Sequence, residues 1–163
     1  MSRLICENMV VGPVQTNCFF LYREDDKRCI IIDPGEEAER IFQFIEKKRL
    51  KPQAILLTHG HFDHIMAAEA VKKKYEILIY AAEAEKRTLA DPAVNLSVQM
   101  RQPVSMEADV WLKDGEELEL LEQVVRCLMT PGHTEGGMCY YFPSAGLVFS
   151  GDTLFQESVG RTD

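Results

Sequence analysis

Ala54-Ile55-Leu56-Leu57-Thr58-His59-Gly60-His61-Phe62-Asp63-His64-Ile65 is the stretch on which the reading of this chain turns. Its apolar start, Ala54 to Leu57, reads as a short strand, and Ile65 to Lys74 reads as a helix. The polar cluster between them therefore sits at the carboxyl end of a strand, where binding and catalytic groups of α/β sheets collect. In extended chain, residues i and i+2 point the same way, so His59 and His61 can grip one ion. Asp63 and His64 are adjacent and are expected to diverge, together facing a second ion as the chain turns into the helix. Gly60 lets the backbone approach closely with no side chain in the way. A helix N-terminus disfavours an imidazolium at His64 and so favours the neutral, ligating form. A lone histidine is more often a surface or core residue than a ligand. Three histidines and an aspartate within six positions have no structural role that needs them all.

Outward from this stretch the chain alternates. Ile5 to Val11 and Thr16 to Tyr22 read as strands around the Gly12-Pro13 turn. Arg28 to Ile32 is a β-branched run stopped by Asp33-Pro34-Gly35. Glu36 to Lys48 places Ala38, Ile41, Phe42 and Ile45 on one helix face, which completes a strand–helix–strand unit with Ala54 to Leu57. Ile77 to Tyr80 gives another strand, followed by a short helix around Ala82 to Leu89, and Asp91 to Met106 reads as loop. Val110 to Leu112, Leu118 to Leu120, Val124 to Met129, Met138 to Phe142 and Leu147 to Ser150 are short runs separated by turn signals, a mostly antiparallel half. Layered α/β sheets with helices outside are expected.

Two further strand ends carry ligand-type side chains. His133 lies in Thr130-Pro131-Gly132-His133-Thr134, just past Val124 to Met129, and Asp152 follows Leu147 to Phe149 in Ser150-Gly151-Asp152-Thr153. Alone, His133 is an ordinary histidine and Asp152 a turn residue. The 59–64 cluster changes the weighing, because a metal needs further ligands from elsewhere in the chain. Imidazole with carboxylate suits zinc, iron or manganese.

The 163 residues suit one domain, 1–163, and no repeat or Gly/Ser linker divides them. Lys and Arg number 18 against 26 Asp and Glu, a net charge of −8, which argues against a phosphate-backbone binder. No apolar run approaches the roughly 20 residues needed to span a bilayer. Met1 to Glu7 lacks the pattern of a secretory signal. The five cysteines (Cys6, Cys18, Cys29, Cys127, Cys139) form no C-x-x-C pair, and most lie in strand-like segments. Buried reduced thiols and a cytoplasmic location are expected.

With these residues in view, the sequence resembles the metallo-β-lactamase fold superfamily. The match is His59-x-His61-x-Asp63-His64, then His133, then Asp152. It is similar in particular to the hydroxyacylglutathione hydrolase (glyoxalase II)-like branch, through Gly12-Pro13-Val14-Gln15-Thr16-Asn17, Ile32-Asp33-Pro34-Gly35, Thr130-Pro131-Gly132-His133-Thr134, Gly151-Asp152-Thr153-Leu154-Phe155 and Gly160-Arg161-Thr162-Asp163. The resemblance implies an α/β fold, a four-layer αββα sandwich. It implies two zinc ions, with iron or manganese as alternatives. His59, His61 and His133 would hold the first, Asp63 and His64 the second, and Asp152 would bridge them. Asp63 would also be catalytic, orienting a metal-bound hydroxide that attacks a thioester such as a hydroxyacyl-glutathione. Asp33 is expected to support a ligand histidine or site backbone, and Arg161 to pair with Asp163 and order the loop after Asp152.

The family places one more histidine and a closing segment beyond Gly160 to Asp163. The expectation is thus a fold incomplete at its C-terminus, with a homo-oligomer formed through surface so exposed. The partner is otherwise a small-molecule substrate, with no nucleic acid and no membrane. Competing readings are a mononuclear iron persulfide dioxygenase of the same superfamily, with His59, His133 and Asp152 as a facial triad; a nuclease of the same fold; and a metal-binding fragment without activity.

Overall fold

Two strands meet at the Gly12-Pro13 turn. β1 (Leu4–Val11) and β2 (Thr16–Arg23) pair antiparallel, from Leu4↔Arg23 to Val11↔Thr16. Their connection needs left-handed backbone at Gly12 (φ +70°) and Gln15 (φ +59°), and the Gln15 N–H closes it on the Gly12 carbonyl at 3.1 Å. The computed structural model describes residues 2–152, 154–155 and 158–159.

β3 (Arg28–Ile32) joins β2 antiparallel. β4 (Lys51–Leu56), β5 (Leu78–Ala82) and β6 (Val110–Leu112) then add in parallel, for a six-stranded order β1-β2-β3-β4-β5-β6. The central strands are apolar without alternation because both faces of this sheet are covered. Ile31 and Ile55 face the helix layer, where α1 (Ala38–Lys48) contributes Ile41, Phe42 and Ile45. Ile30, Ile32 and Leu56 point the other way, into a cluster with Val125, Cys127, Tyr140 and Phe142. Those four belong to a second sheet, β7 (Glu117–Leu120), β8 (Gln123–Met129), β9 (Met138–Phe142) and β10 (Leu147–Phe149), antiparallel throughout in the order β10-β9-β8-β7. β11 (Leu154–Phe155) and β12 (Ser158–Val159) form a separate short ribbon.

The described residues thus build three layers, helix on sheet on sheet. On the outer face of the second sheet Val124, Leu128 and Val148 are 45, 40 and 53% exposed, and no described helix packs there. The second helical layer of the expected αββα arrangement is not formed by the described residues.

Three expectations are corrected. Val110 to Leu112, expected in the antiparallel half, forms β6, which pairs parallel with β5 and closes the first sheet. The single helix expected over Ile65 to Lys74 is two: α2 (Phe62–Ile65) and α3 (Ala68–Tyr75). The break has a cause in tertiary structure. The Ala67 N–H donates to the Pro34 carbonyl at 3.0 Å, pinning this corner to the turn that ends β3. Gly35 in that turn lies so close that a Cβ there would sit 1.8 Å from the Asp63 carbonyl oxygen. The helix expected near Ala82 is a 3-10 turn, Glu83–Glu85, leading into α4 (Lys86–Ala90). The loop after it has no period yet is tied together, since Asn95 donates to the Val104 carbonyl and Ser97 accepts from the Val104 N–H, each at 2.8 Å.

Candidate metal centre

The sandwich brings three strand ends to one edge. Past β4 the chain stays extended through His61 (φ −65°, ψ 147°) before α2 begins. His59, His61 and His64 are all buried. The two sheets are tied beside them by the Met138 N–H on the Thr58 carbonyl (2.8 Å) and the buried Tyr140 hydroxyl on the Leu57 carbonyl (2.6 Å). These bonds set the β8–β9 loop, and so His133, against the end of β4. His61 Nδ1 and His133 Nε2 lie 3.0 Å apart. Asp152 arrives from β10 through Gly151, whose φ is +54° and where a Cβ would stand 2.3 Å from Thr58 Oγ1. Glycine is needed there for both reasons.

Asp152 spans the group. Its Oδ2 is 3.1 Å from His133 Nε2 and 3.7 Å from His59 Nε2, while its Oδ1 is 3.3 Å from His64 Nε2. Asp63 Oδ2 is also 3.3 Å from His64 Nε2. Two sets of three ligand atoms fall within 4.8 Å of one another: His59, His61 and His133, and His59, His64 and Asp152. All six side chains anticipated as ligands are therefore brought together. One expectation about them is corrected. Asp63 and His64 do not diverge, because Thr16 holds the Asp63 oxygen that faces His64 and Asp33 holds the far nitrogen of His64. Thr16 Oγ1 donates to Asp63 Oδ2 at 2.6 Å, and Asp33 Oδ2 takes His64 Nδ1 at 2.8 Å, so their inner ends meet.

Asp33, anticipated as a support, is buried just past β3 in a left-handed conformation (φ +53°) that Asp tolerates better than most residues. Its carboxylate takes the Thr58 N–H at 2.8 Å, the Thr58 hydroxyl at 2.6 Å and His64 Nδ1. A carboxylate only accepts, so His64 carries a hydrogen on Nδ1, and Nε2, facing inward, is the nitrogen that would exchange its proton for a metal. The same logic runs one step further. The Thr58 hydroxyl spends its hydrogen on Asp33, so toward His59 Nδ1, 3.2 Å away, it can only accept. His59 then also carries its hydrogen on Nδ1. One buried carboxylate thereby fixes the tautomer of two histidines. Thr58 and Thr16 were not singled out from the sequence, although Thr58 directly precedes the histidine cluster. Arg161 and its expected partner Asp163 lie outside the described residues.

The electrostatics ask for a cation. Burial, reinforced by the imidazoles of His64, His61 and His133, holds His59 well below the usual histidine range, so it stays neutral. Its Nε2 is buried and has no hydrogen-bond partner among the described residues. Such an atom costs about 1–3 kcal/mol unless something coordinates it. Burial also pushes His64 down, but the carboxylates of Asp33, Asp152 and Asp63 outweigh it and lift His64 well above its ordinary value, which corrects the neutral form expected from the helix N-terminus. Burial would raise Asp63 as well, yet the bonds from His64 and Thr16 bring it down to about 2. Asp152 is lowered against burial by His64. An orphaned lone pair and converging carboxylates, with imidazole and oxygen donors only, fit a divalent metal of the zinc, iron or manganese type.

Residues 11–163 match the Metallo-beta-lactamase superfamily. The chain belongs to that superfamily. Among its metallo-β-lactamase relatives, "Probable metallo-hydrolase YqgX" of Bacillus subtilis strain 168 is 45% identical over 157 residues, covering 95% of this chain and 74% of its own. "Hydroxyacylglutathione hydrolase GloC" of Haemophilus influenzae is 36% identical over 163 residues, covering 96% of this chain and 76% of its own. The crystal structure of BLEG-1 B3 metallo-β-lactamase superposes with a TM-score of 0.91 at 40% identity, over 98% of this chain and 77% of that one. The mixed sandwich is thus a superfamily feature. No described helix is long and apolar enough to cross a membrane.

Proposed function

We propose that this protein is a metal-dependent hydrolase of thioesters of the hydroxyacyl-glutathione class. The observation that carries the metal is the buried Nε2 of His59, without a hydrogen-bond partner among the described residues, within a ring of three imidazoles. The thioester class is supported by the similarity to GloC. In this reading His59, His61 and His133 would hold one zinc ion, Asp63 and His64 would hold a second, and Asp152 would be shared by the two. When bound, the metal polarises a carbonyl oxygen and brings the pKa of water toward about 7.

The protein's own groups do the rest. Asp63 is ionised at neutral pH and fixed by Thr16, so it accepts a hydrogen bond from the attacking water and aims it. Asp33 and Thr58 keep His64 and His59 in the ligating tautomer. A thiolate is a good leaving group, so no strong general acid is required of the site. A cleft of about 580 Å³ runs past Thr16, Phe19, Asp63 and Asp152, and another of about 290 Å³ past His61, Thr88, His133 and Glu135. Small-molecule sites are commonly about 300–1,000 Å³. The five cysteines are free thiols, which supports placing the protein in the reducing cytoplasm.

A second reading has its own observation. His59, His133 and Asp152 converge as two imidazoles and one carboxylate, the donor set of a mononuclear iron oxygenase acting on persulfides. Two assays on metal-reconstituted protein separate the readings. With S-lactoylglutathione, free thiol is expected to appear with no oxygen consumed. Oxygen uptake with glutathione persulfide, together with no thiol release from the thioester, would overturn the hydrolase reading.

A further inference from the structure

Glu85 is 1% exposed, yet it is no part of the ligand set and has no basic partner in any ion pair among the described residues. It ends the 3-10 turn after β5, and its carboxylate reaches in two directions. Oε1 accepts the Gly60 N–H at 3.0 Å, and Oε2 accepts the Gly136 N–H at 2.8 Å. Gly60 stands between His59 and His61 on the first sheet. Gly136 stands three residues past His133 in the β8–β9 loop of the second. The two glycines are 25 and 51 residues from Glu85 in the chain.

Both glycines are needed for the approach. A Cβ on Gly136 would sit 2.6 Å from the Glu85 backbone nitrogen and 2.6 Å from Oε2. A Cβ on Gly60 would press on Thr88 and Leu89 at 3.1 Å. The bonds from β9 to Leu57 and Thr58 lock the strand ends, but they lie before His59. Glu85 is the side chain that fastens the loops on the histidine side of that lock, where His61 and His133 face each other at 3.0 Å.

We infer that Glu85 is a positioning residue: its carboxylate clasps the loops of His59/His61 and His133 and sets the spacing of the three-imidazole metal position. This rests on the metal reading given above. It also predicts a local effect. The His64 end of the site is anchored independently by Asp33 and Thr16, and it should not feel the clasp. Glutamine is the informative substitution. It keeps the length of the side chain, but its NH₂ group must face one of the two N–H donors, so one bond is exchanged for a repulsion.

The test is cobalt(II) titration of the metal-free full chain, followed by visible absorption. Supporting groups around metal ligands typically change affinity about 10–100-fold when altered. Glu85→Gln is expected to weaken binding at one cobalt position by that factor and to shift its absorption bands, with the other position unchanged. Gly136→Ala, which pushes on the same carboxylate from the opposite loop, is expected to shift the same bands. A merely structural role would lower the melting temperature of the metal-free protein and leave the cobalt spectrum as it is. A folded Glu85→Gln or Gly136→Ala with the spectrum and affinity of the unaltered protein would overturn the proposal. Failure of the unaltered protein to bind cobalt would instead overturn the metal reading, and the clasp with it.

Discussion

His133→Ala is expected to lower thioester turnover by about 10³-fold, because metal polarisation is worth several kcal/mol and each 1.36 kcal/mol is tenfold in rate. His133 Nε2 is the point at which the three-imidazole set and the Asp152 carboxylate meet, 3.0 Å from His61 Nδ1 and 3.1 Å from Asp152 Oδ2. Without it, the position loses one of its three imidazoles and keeps only His59 and His61 with the shared Asp152 carboxylate. The side chain sits on a loop beyond β8, outside both hydrophobic clusters, so its loss should spare the fold. The check is kcat/KM together with bound metal per chain and the melting temperature of the metal-free protein. Turnover and metal content should fall together while melting of the metal-free protein stays put. Retained turnover with metal lost would contradict the assignment.

Asp33→Asn is expected to weaken metal binding about 10–100-fold, although Asp33 touches no metal position itself. The asparagine must put its NH₂ on one side or the other. Facing Thr58 N–H, it opposes two donors 2.8 Å apart. Facing the other way, it donates to Thr58 Oγ1 and opposes His64 Nδ1–H. His64 must then move its hydrogen to Nε2, and the freed Thr58 hydroxyl can donate to His59 Nδ1 and flip that ring's tautomer as well. Both inward lone pairs would be lost through one substitution. Competition with a chromophoric chelator measures the change. An asparagine variant that binds zinc as tightly as the unaltered protein would sink the tautomer relay.

The part of the fold that is local in origin was legible in the residues. The hairpin around Gly12-Pro13, the α1 stripe and the antiparallel runs from Leu118 onward follow from side-chain period and turn chemistry. The break between α2 and α3 was not legible, because its cause is a carbonyl at Pro34, more than 30 positions away in sequence. β6 was misplaced for a related reason: three residues carry no sign of which strand they will pair with. The site divides along the same line. The His59 to His64 cluster announced itself by density, and it lent meaning to His133 and Asp152. The convergence of Asp63 with His64 needed Thr16 and Asp33 to be in place. Thr16, Thr58 and Glu85 act through hydrogen bonds to segments distant in the chain, so neither composition nor spacing marks them.

The central claim is that bound metal and thioester cleavage belong to the same six side chains. It is tested most directly by titrating zinc into the metal-free chain while following thiol release from S-lactoylglutathione. The account predicts no release at the start, a rise in step with zinc bound, and a return to the baseline when a chelator strips the metal. Saturation with zinc and no cleavage, or equal cleavage with the chelator present throughout, would contradict it.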